Sequence, residues 1–269
     1  MGFSLHQPMQ NAIRRPHHLA RRMRPFHPRE ITDLALYMDP ELGVNDQTAY
    51  VQDVSTWVDQ SDNALSFSQG SEGNKPHLVK RGTSFLRKQP QVLFVETASM
   101  HLDGSDVTHE MLYSNTHGMT IFWAGYVADD EGQFVTKYDA SSGLREFYID
   151  QKQFIASEAL ASYAAANKAA ITVVEDSKQI IVGRWKPATE TRITRYLGGA
   201  TTGTASTPAV HMHDGSEPVR LGNYDGGSYD DSRWGICLIY KRALGLGEQS
   251  RVIEFMASLY GVLGVTVKN

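Results

Sequence analysis

From Leu34 onward the apolar residues come in short runs, each cut off by Gly, Asn, Asp, Ser or Pro. Such punctuation leaves little room for long helices and is how many-stranded antiparallel sheets read in sequence. The runs expected to be strands are Leu34–Met38, Val51–Val58, Val92–Glu96, Thr120–Val127, Arg145–Asp150, Ala170–Glu175, Gln179–Trp185, Thr191–Leu197, Pro218–Gly222, Trp234–Tyr240 and Val262–Val267. They imply an all-β fold, a two-sheet antiparallel jelly roll. A chain of 269 residues suits one such domain with a short appendage. No fixed-period repeat suggests a propeller or solenoid.

One helix is well specified. Between Glu248 and Tyr260 the apolar residues Val252, Phe255, Met256, Leu259 and Tyr260 recur at helical spacing, and Gly261 supplies a stop. The pattern predicts a C-terminal helix laid on the sheet through that stripe. The alanine-rich stretch Ser157–Lys168 is a second candidate, for a short surface helix.

Residues 1–33 differ from the rest: they hold six arginines and four histidines, and Pro8, Pro16, Pro25 and Pro28 interrupt any long helix. They read as an extended basic arm, followed by a domain over 34–269. An organellar transit peptide would also be Arg-rich, but serine is scarce here; a solvated tail without a partner is the other alternative. The arm's physical use would be docking, its arginines meeting acidic surfaces and its spaced apolar residues acting as anchors.

The net charge of −4 gives no global reason to expect nucleic acid as a partner. No apolar run approaches the roughly 20 residues of a membrane-spanning helix, so no membrane insertion is expected. Neither is there an N-terminal apolar core for secretion, which suggests a protein assembled within cytoplasm. Cys237, the lone cysteine, lies in the apolar run Trp234–Tyr240 and reads as a small buried hydrophobe.

The order of several segments is similar to that of the laminin-G-like branch of the concanavalin A-like lectin/glucanase superfamily. The opening strand Leu34-Ala-Leu-Tyr-Met-Asp39 is followed by Trp57-Val-Asp59-Gln-Ser61, which resembles that family's Trp-x-Asp-x-Ser turn. Asn74-Lys-Pro76-His-Leu78, Met119-Thr-Ile-Phe-Trp-Ala and the stretch from Glu190 to Gly199 match later segments. The closest piece is Leu238-Ile-Tyr240-Lys-Arg-Ala-Leu244 with Glu248 and Leu259-Tyr-Gly261, similar to the closing strand, helix and Tyr-Gly ending. Ile236 stands where the family often has Glu. The resemblance implies a concanavalin A-like jelly roll, a fold that hosts lectins, glucanases and structural modules, so function rests on the sites.

Glucanases of this superfamily carry a Glu-x-Asp-x-Glu strand, because retaining hydrolysis needs two carboxylates about 5–5.5 Å apart. Here the nearest approach is Glu146-Phe-Tyr148-Ile-Asp150, which lacks the central acid. Strand alternation would place all three on one outward face. The reading is therefore non-enzymatic, with no catalytic residue. The sequence also lacks a Gly-x-Ser-x-Gly elbow and a phosphate-binding loop. His211-Met-His213-Asp214 has metal-ligand spacing without a third ligand and reads as an exposed loop. The segment around Asp225-Gly-Gly-Ser-Tyr-Asp230-Asp231 has oxygen donors enough for calcium, the one cofactor considered. Trp185, Tyr224, Asp225, Tyr229, Asp230 and Asp231 are the candidates for a glycan or calcium loop.

A jelly roll of this resemblance, carrying a basic proline-interrupted arm, looks like an accessory protein of a bacteriophage virion, a capsid or tail decoration or adhesin assembled in the host cytoplasm. Arg14, Arg15, Arg21, Arg22, Arg24 and Phe26 would anchor it to capsid or tail subunits, and the lectin-like domain would meet host surface glycans. The alternative class is a glycoside hydrolase or a free soluble lectin.

Overall fold

The computed structural model describes residues 25–44, 51–79, 89–104, 109–130, 132–139, 144–156, 167–212, 218–224 and 228–262. They form two facing antiparallel sheets. The first sheet runs, from one edge, Ala200–Thr204, Glu190–Tyr196, Ser177–Lys186, Met119–Val127, Ser232–Tyr240, Gln91–Phe94, His77–Val79 and Val51–Asp53; Leu34–Met38 also pairs with Ser232–Tyr240. The second runs Lys168–Ala170, Gln153–Ala156, Leu144–Ile149, Val135–Asp139, Val219–Leu221, Leu102–Gly104, Ser66–Ser68 and Thr56–Val58. A small hairpin, Asn223–Tyr224 with Ser228–Tyr229, forms its own ladder beside the second sheet. The two-sheet jelly roll expected from the strand pattern is the fold.

The central strands of the first sheet explain the least alternating runs in the sequence. Ile121, Trp123, Cys237 and Ile239 face the second sheet, whereas Phe122, Ala124, Ile236, Leu238 and Tyr240 face the C-terminal helix. Both faces are buried, so every position is apolar. Ile236 stands under the helix, where a charge would be desolvated. Between the sheets an aromatic cluster fills the core: Trp123 stacks on Phe134 at 3.9 Å and meets Trp234 edge-on at 6.2 Å, and Trp234 contacts Phe94 and Trp57.

The helix spans Leu246–Tyr260, and Gly261 ends it with φ 69°, a left-handed cap that glycine adopts without a side-chain penalty. Its buried face is Val252, Ile253, Met256 and Tyr260, with Gln249 and Ser250. The expected stripe is thus rotated: Phe255 and Leu259 are partly buried on its shoulder, and Ile253 takes a place the pattern did not assign.

Other expectations shift as well. The run Val51–Val58 is two strands in different sheets, because the chain bends at Ser55 and Val54 N–H bonds to Pro76 O at 2.7 Å. In place of Ala170–Glu175 the strand is Lys168–Ala170, and residues 171–175 are irregular. Residues 263–267 of the last expected strand and 157–166 of the second helix lie outside the described residues.

Arg14, Arg15, Arg21, Arg22 and Arg24 also lie outside the described residues. Residues 25–33, which the sequence groups with the arm, pack on the domain as a strap. Ile31 is buried, Tyr240 Oη donates to Pro28 O at 3.0 Å, and Arg251 pairs with Glu30 at 3.3 Å. Phe26 meets Phe255 edge-on at 6.0 Å beneath the Arg251 guanidinium. Among the described residues no helix is long and apolar enough to cross a membrane.

Candidate functional site

The Glu146–Asp150 segment does not present an outward acidic face. A β-bulge between Arg145 and Phe147 inserts an extra residue, which turns Glu146 into the interior beside Phe147. There Glu146 Oε1 lies 2.6 Å from Lys137 Nζ, and Oε2 accepts from Tyr113 Oη at 3.2 Å. The Tyr113 ring is itself held edge-on by Phe147 and Trp185. Asp150 braces the following turn, accepting the backbone N–H groups of Lys152 and Gln153 at 2.7 and 2.6 Å. Burial raises its carboxyl to about 6, and the turn's hydrogen bonds oppose that rise.

The loop candidates separate in the same way. Trp185 is fully buried, its Nε1–H donating to Ala209 O at 2.9 Å, so it is a core ring and offers no face to a sugar. Asp230 points inward: its Oδ2 accepts from Trp234 Nε1 at 2.6 Å and from Ser232 Oγ. Burial drives this carboxyl up to about 8 despite both donors, which removes it from any outward set of calcium ligands. Asp231 is part-exposed, and burial raises its carboxyl while Arg233 opposes this. Tyr224 pairs with Ser228 in the hairpin; Asp225, His213 and Asp214 lie outside the described residues. No group of three metal-ligating side chains occurs among the described residues.

Tyr229 does reach an outward-facing polar cluster, which sequence spacing could not reveal. Leu102, Val219 and Leu221 point into the core, so their neighbours His101, Asp103 and Arg220 point out of the second sheet. Asp103 and Arg220 are cross-strand partners, and Arg220 Nε donates to Asp103 Oδ1 at 2.9 Å. On the other side Asp103 Oδ2 lies 3.7 Å from His101 Nε2. Gln69 Nε2 is 2.9 Å from that same imidazole nitrogen, and Ser99 O fixes Nδ1 at 2.9 Å. The Tyr229 ring lies 5.8 Å from the imidazole. Asp103 keeps 44% side-chain exposure, whereas Arg220 and His101 keep 16% and 15%. The neighbouring Asp103 carboxylate raises the His101 pKa above its usual value, and His101 lowers that of Asp103 in return. The result is a part-exposed carboxylate held by the Arg220 guanidinium, with the His101 imidazole and the Tyr229 ring alongside.

No known protein-family model and no curated protein matches this chain. Among solved structures it is similar to the binding domain of Paraclostridial Mosquitocidal Protein 1, at 12% identity and TM-score 0.56, over 85% of this chain and 52% of that one. An arabinofuranosidase complexed with arabinofuranosyl-alpha-1,2-xylobiose matches at 11% identity and TM-score 0.54, over 77% and 51%. A GH54 α-L-arabinofuranosidase matches at 9% and 0.50, over 84% and 63%. This chain therefore spans about half to two thirds of the length of these structures, and at such identities the likeness is one of fold. It corrects one expectation. Two of these β-sandwich structures are glycoside hydrolases, so an incomplete Glu-x-Asp-x-Glu strand is no ground for calling the chain non-enzymatic. That strand's acids are besides engaged in the core and a turn, so the pattern carried no information on catalysis.

Proposed function

We propose that the domain is a carbohydrate-binding module and that its glycan site is the outer face of the second sheet around Asp103, Arg220, His101 and Tyr229. The observation that carries this reading is the half-exposed Asp103 carboxylate held by Arg220 beside His101. Adjacent sugar hydroxyls donate to such a carboxylate and accept from the neighbouring guanidinium, and a C–H face of the ring packs on an aromatic side chain. Because these side chains are already held by each other, little rotamer entropy is lost on binding. The sugar named in the arabinofuranosidase complex and the binding role named for the toxin domain agree with a saccharide ligand on this fold.

The finer reading is a virion accessory protein of the laminin-G-like type, with the basic arm as its anchor. Its support is the arm's sequence: six arginines and four prolines within residues 1–33, ahead of a domain that packs around its own core. Multivalent display on a particle would then raise a weak single-site affinity.

Titration of the full chain against a glycan array tests the binding reading. Arg220→Ala and Tyr229→Ala are expected to lose the signal that wild type gives, with unchanged thermal midpoints. Retention of full binding by both variants overturns the site. For the anchor, removal of residues 1–24 should abolish co-sedimentation with particles, and stoichiometric retention overturns it.

A further inference from the structure

Two cavities, of about 410 and 300 Å³, open where the strap meets the strand Leu34–Met38, and Asp33 and Lys241 line both. They form one crevice divided by that pair, whose backbones are joined by Lys241 N–H to Asp33 O at 2.9 Å. This crevice shares no residue with the sheet-face cluster.

One wall is a preorganised turn. Ser114 Oγ accepts the backbone N–H groups of Thr116 and His117 at 3.2 and 3.1 Å, and Ser114 and Gly118 exchange two backbone hydrogen bonds. Gly118 sits at φ 88° with its Cα against Trp185 O, where no side chain fits. The turn is tied to the far wall by Ala243 N–H to His117 O at 2.7 Å. Asn115 Oδ1 accepts from Met212 N–H at 2.8 Å, which orients the amide and leaves its NH₂ as a donor on an exposed side chain. The exposed Thr116 hydroxyl lies next to it.

Where the Ser114–His117 turn lines the crevice, its charged side chains are Lys241 and Arg242 against Asp33, one cation in excess. Asp33 is occupied by Arg242 Nε at 3.2 Å, and the rest of that guanidinium by Glu248. Lys241 is exposed and makes no ion pair among the described residues. Arg29 directs its guanidinium to Gln60 O and makes no ion pair among the described residues. On the strap side the lining sets Arg29 and Lys241 against Asp33 and Asp62, so the cationic excess lies on the side of the Ser114–His117 turn. Hydroxyl and amide donors around a free ammonium complement a ligand that is both hydroxylated and anionic.

We propose that this crevice binds an acidic sugar, its carboxylate on Lys241 and its hydroxyls on Asn115 and Thr116. The test is calorimetric titration of the full chain with glucuronic acid, glucose and inorganic phosphate. Glucuronate should bind, more weakly as salt is raised, and Lys241→Gln should weaken it about tenfold or more. Asn115→Ala should weaken it several-fold. Arg220→Ala should leave it unchanged, so that the crevice and the sheet face are separated. Lys241 is exposed, and an unaltered thermal midpoint of its variant shows that the fold is kept. The proposal is overturned if glucuronate does not bind, if glucose binds as tightly, if phosphate binds as tightly, or if Lys241→Gln has no effect.

Discussion

Lys137 Nζ and Glu146 Oε1 lie 2.6 Å apart with side-chain exposures of 0% and 3%, an ion pair enclosed between the two sheets. The pair exists because the bulge before Phe147 puts Glu146 on the face that Lys137 already occupies. Desolvating two charges offsets much of their attraction, so the pair is expected to contribute little over an apolar pair, while removing one partner strands the other. Lys137→Met should therefore cost about 3–5 kcal/mol in denaturant unfolding. Lys137→Met with Glu146→Leu should recover most of that loss. A double variant as unstable as the single one would show that the charges themselves hold the bulge.

Asp230 gives the fold a pH signature. Its folded pKa is about 8 because burial penalises the charge, against 3.8 for an ordinary aspartate. The folded state therefore holds a proton that the unfolded state has released, over the window from about 4 to 8. Stability falls as pH rises through that window and levels off above it. Asp230→Asn keeps an acceptor for Trp234 Nε1 and cannot ionise. Its thermal midpoint should lose this downward slope and exceed wild type at pH 8. Parallel profiles for the two proteins would show that Asp230 does not carry the effect.

The strap is held partly by Phe26 on Phe255. An edge-on aromatic pair is worth about 0.5–1.5 kcal/mol beyond the area it buries. A double-mutant cycle of Phe26→Leu and Phe255→Leu should return a coupling in that range. Met256 is fully buried under the same helix, and Met256→Ala should cost more, about 2–5 kcal/mol. Removing residues 1–31 should lower the thermal midpoint more than removing 1–24, because residues 26–31 supply the Phe26, Pro28, Glu30 and Ile31 contacts to the domain. Equal midpoints for the two truncations would place the strap outside the folding unit.

Asp59 ties the opening strand to the turn that follows Trp57. Its carboxylate accepts Tyr37 N–H at 2.6 Å, Ser61 N–H at 2.8 Å and Ser61 Oγ at 2.5 Å, all buried. Asp59→Ala leaves these donors in the interior without an acceptor and should cost about 3 kcal/mol or more. Asp59→Asn retains an acceptor for the backbone N–H groups and should cost less. A neutral Asp59→Ala would mean that water or another group takes over.

What the sequence determined is the set of local decisions. Leu34–Met38 has the expected bounds, and the apolar runs ending at Val127 and Tyr240 are strands, because two buried faces demand apolar residues at every position. The helix likewise follows from its own periodicity, and Gly261 closes it as expected. The turn Trp57-Val-Asp59-Gln-Ser61 was legible as a motif, although its use as a clamp on Tyr37 was not. Only tertiary structure decided which polar residues face inward. Strand alternation placed Glu146 outside, and one bulge reversed it; Asp230 and Trp185 read as loop and strand-end residues, and packing took both into the interior. The outward cluster draws on Gln69, His101, Asp103, Arg220 and Tyr229, which no sequence spacing connects. A sheet makes neighbours through the hydrogen-bond register between strands, and that register is fixed by how two whole faces fit together.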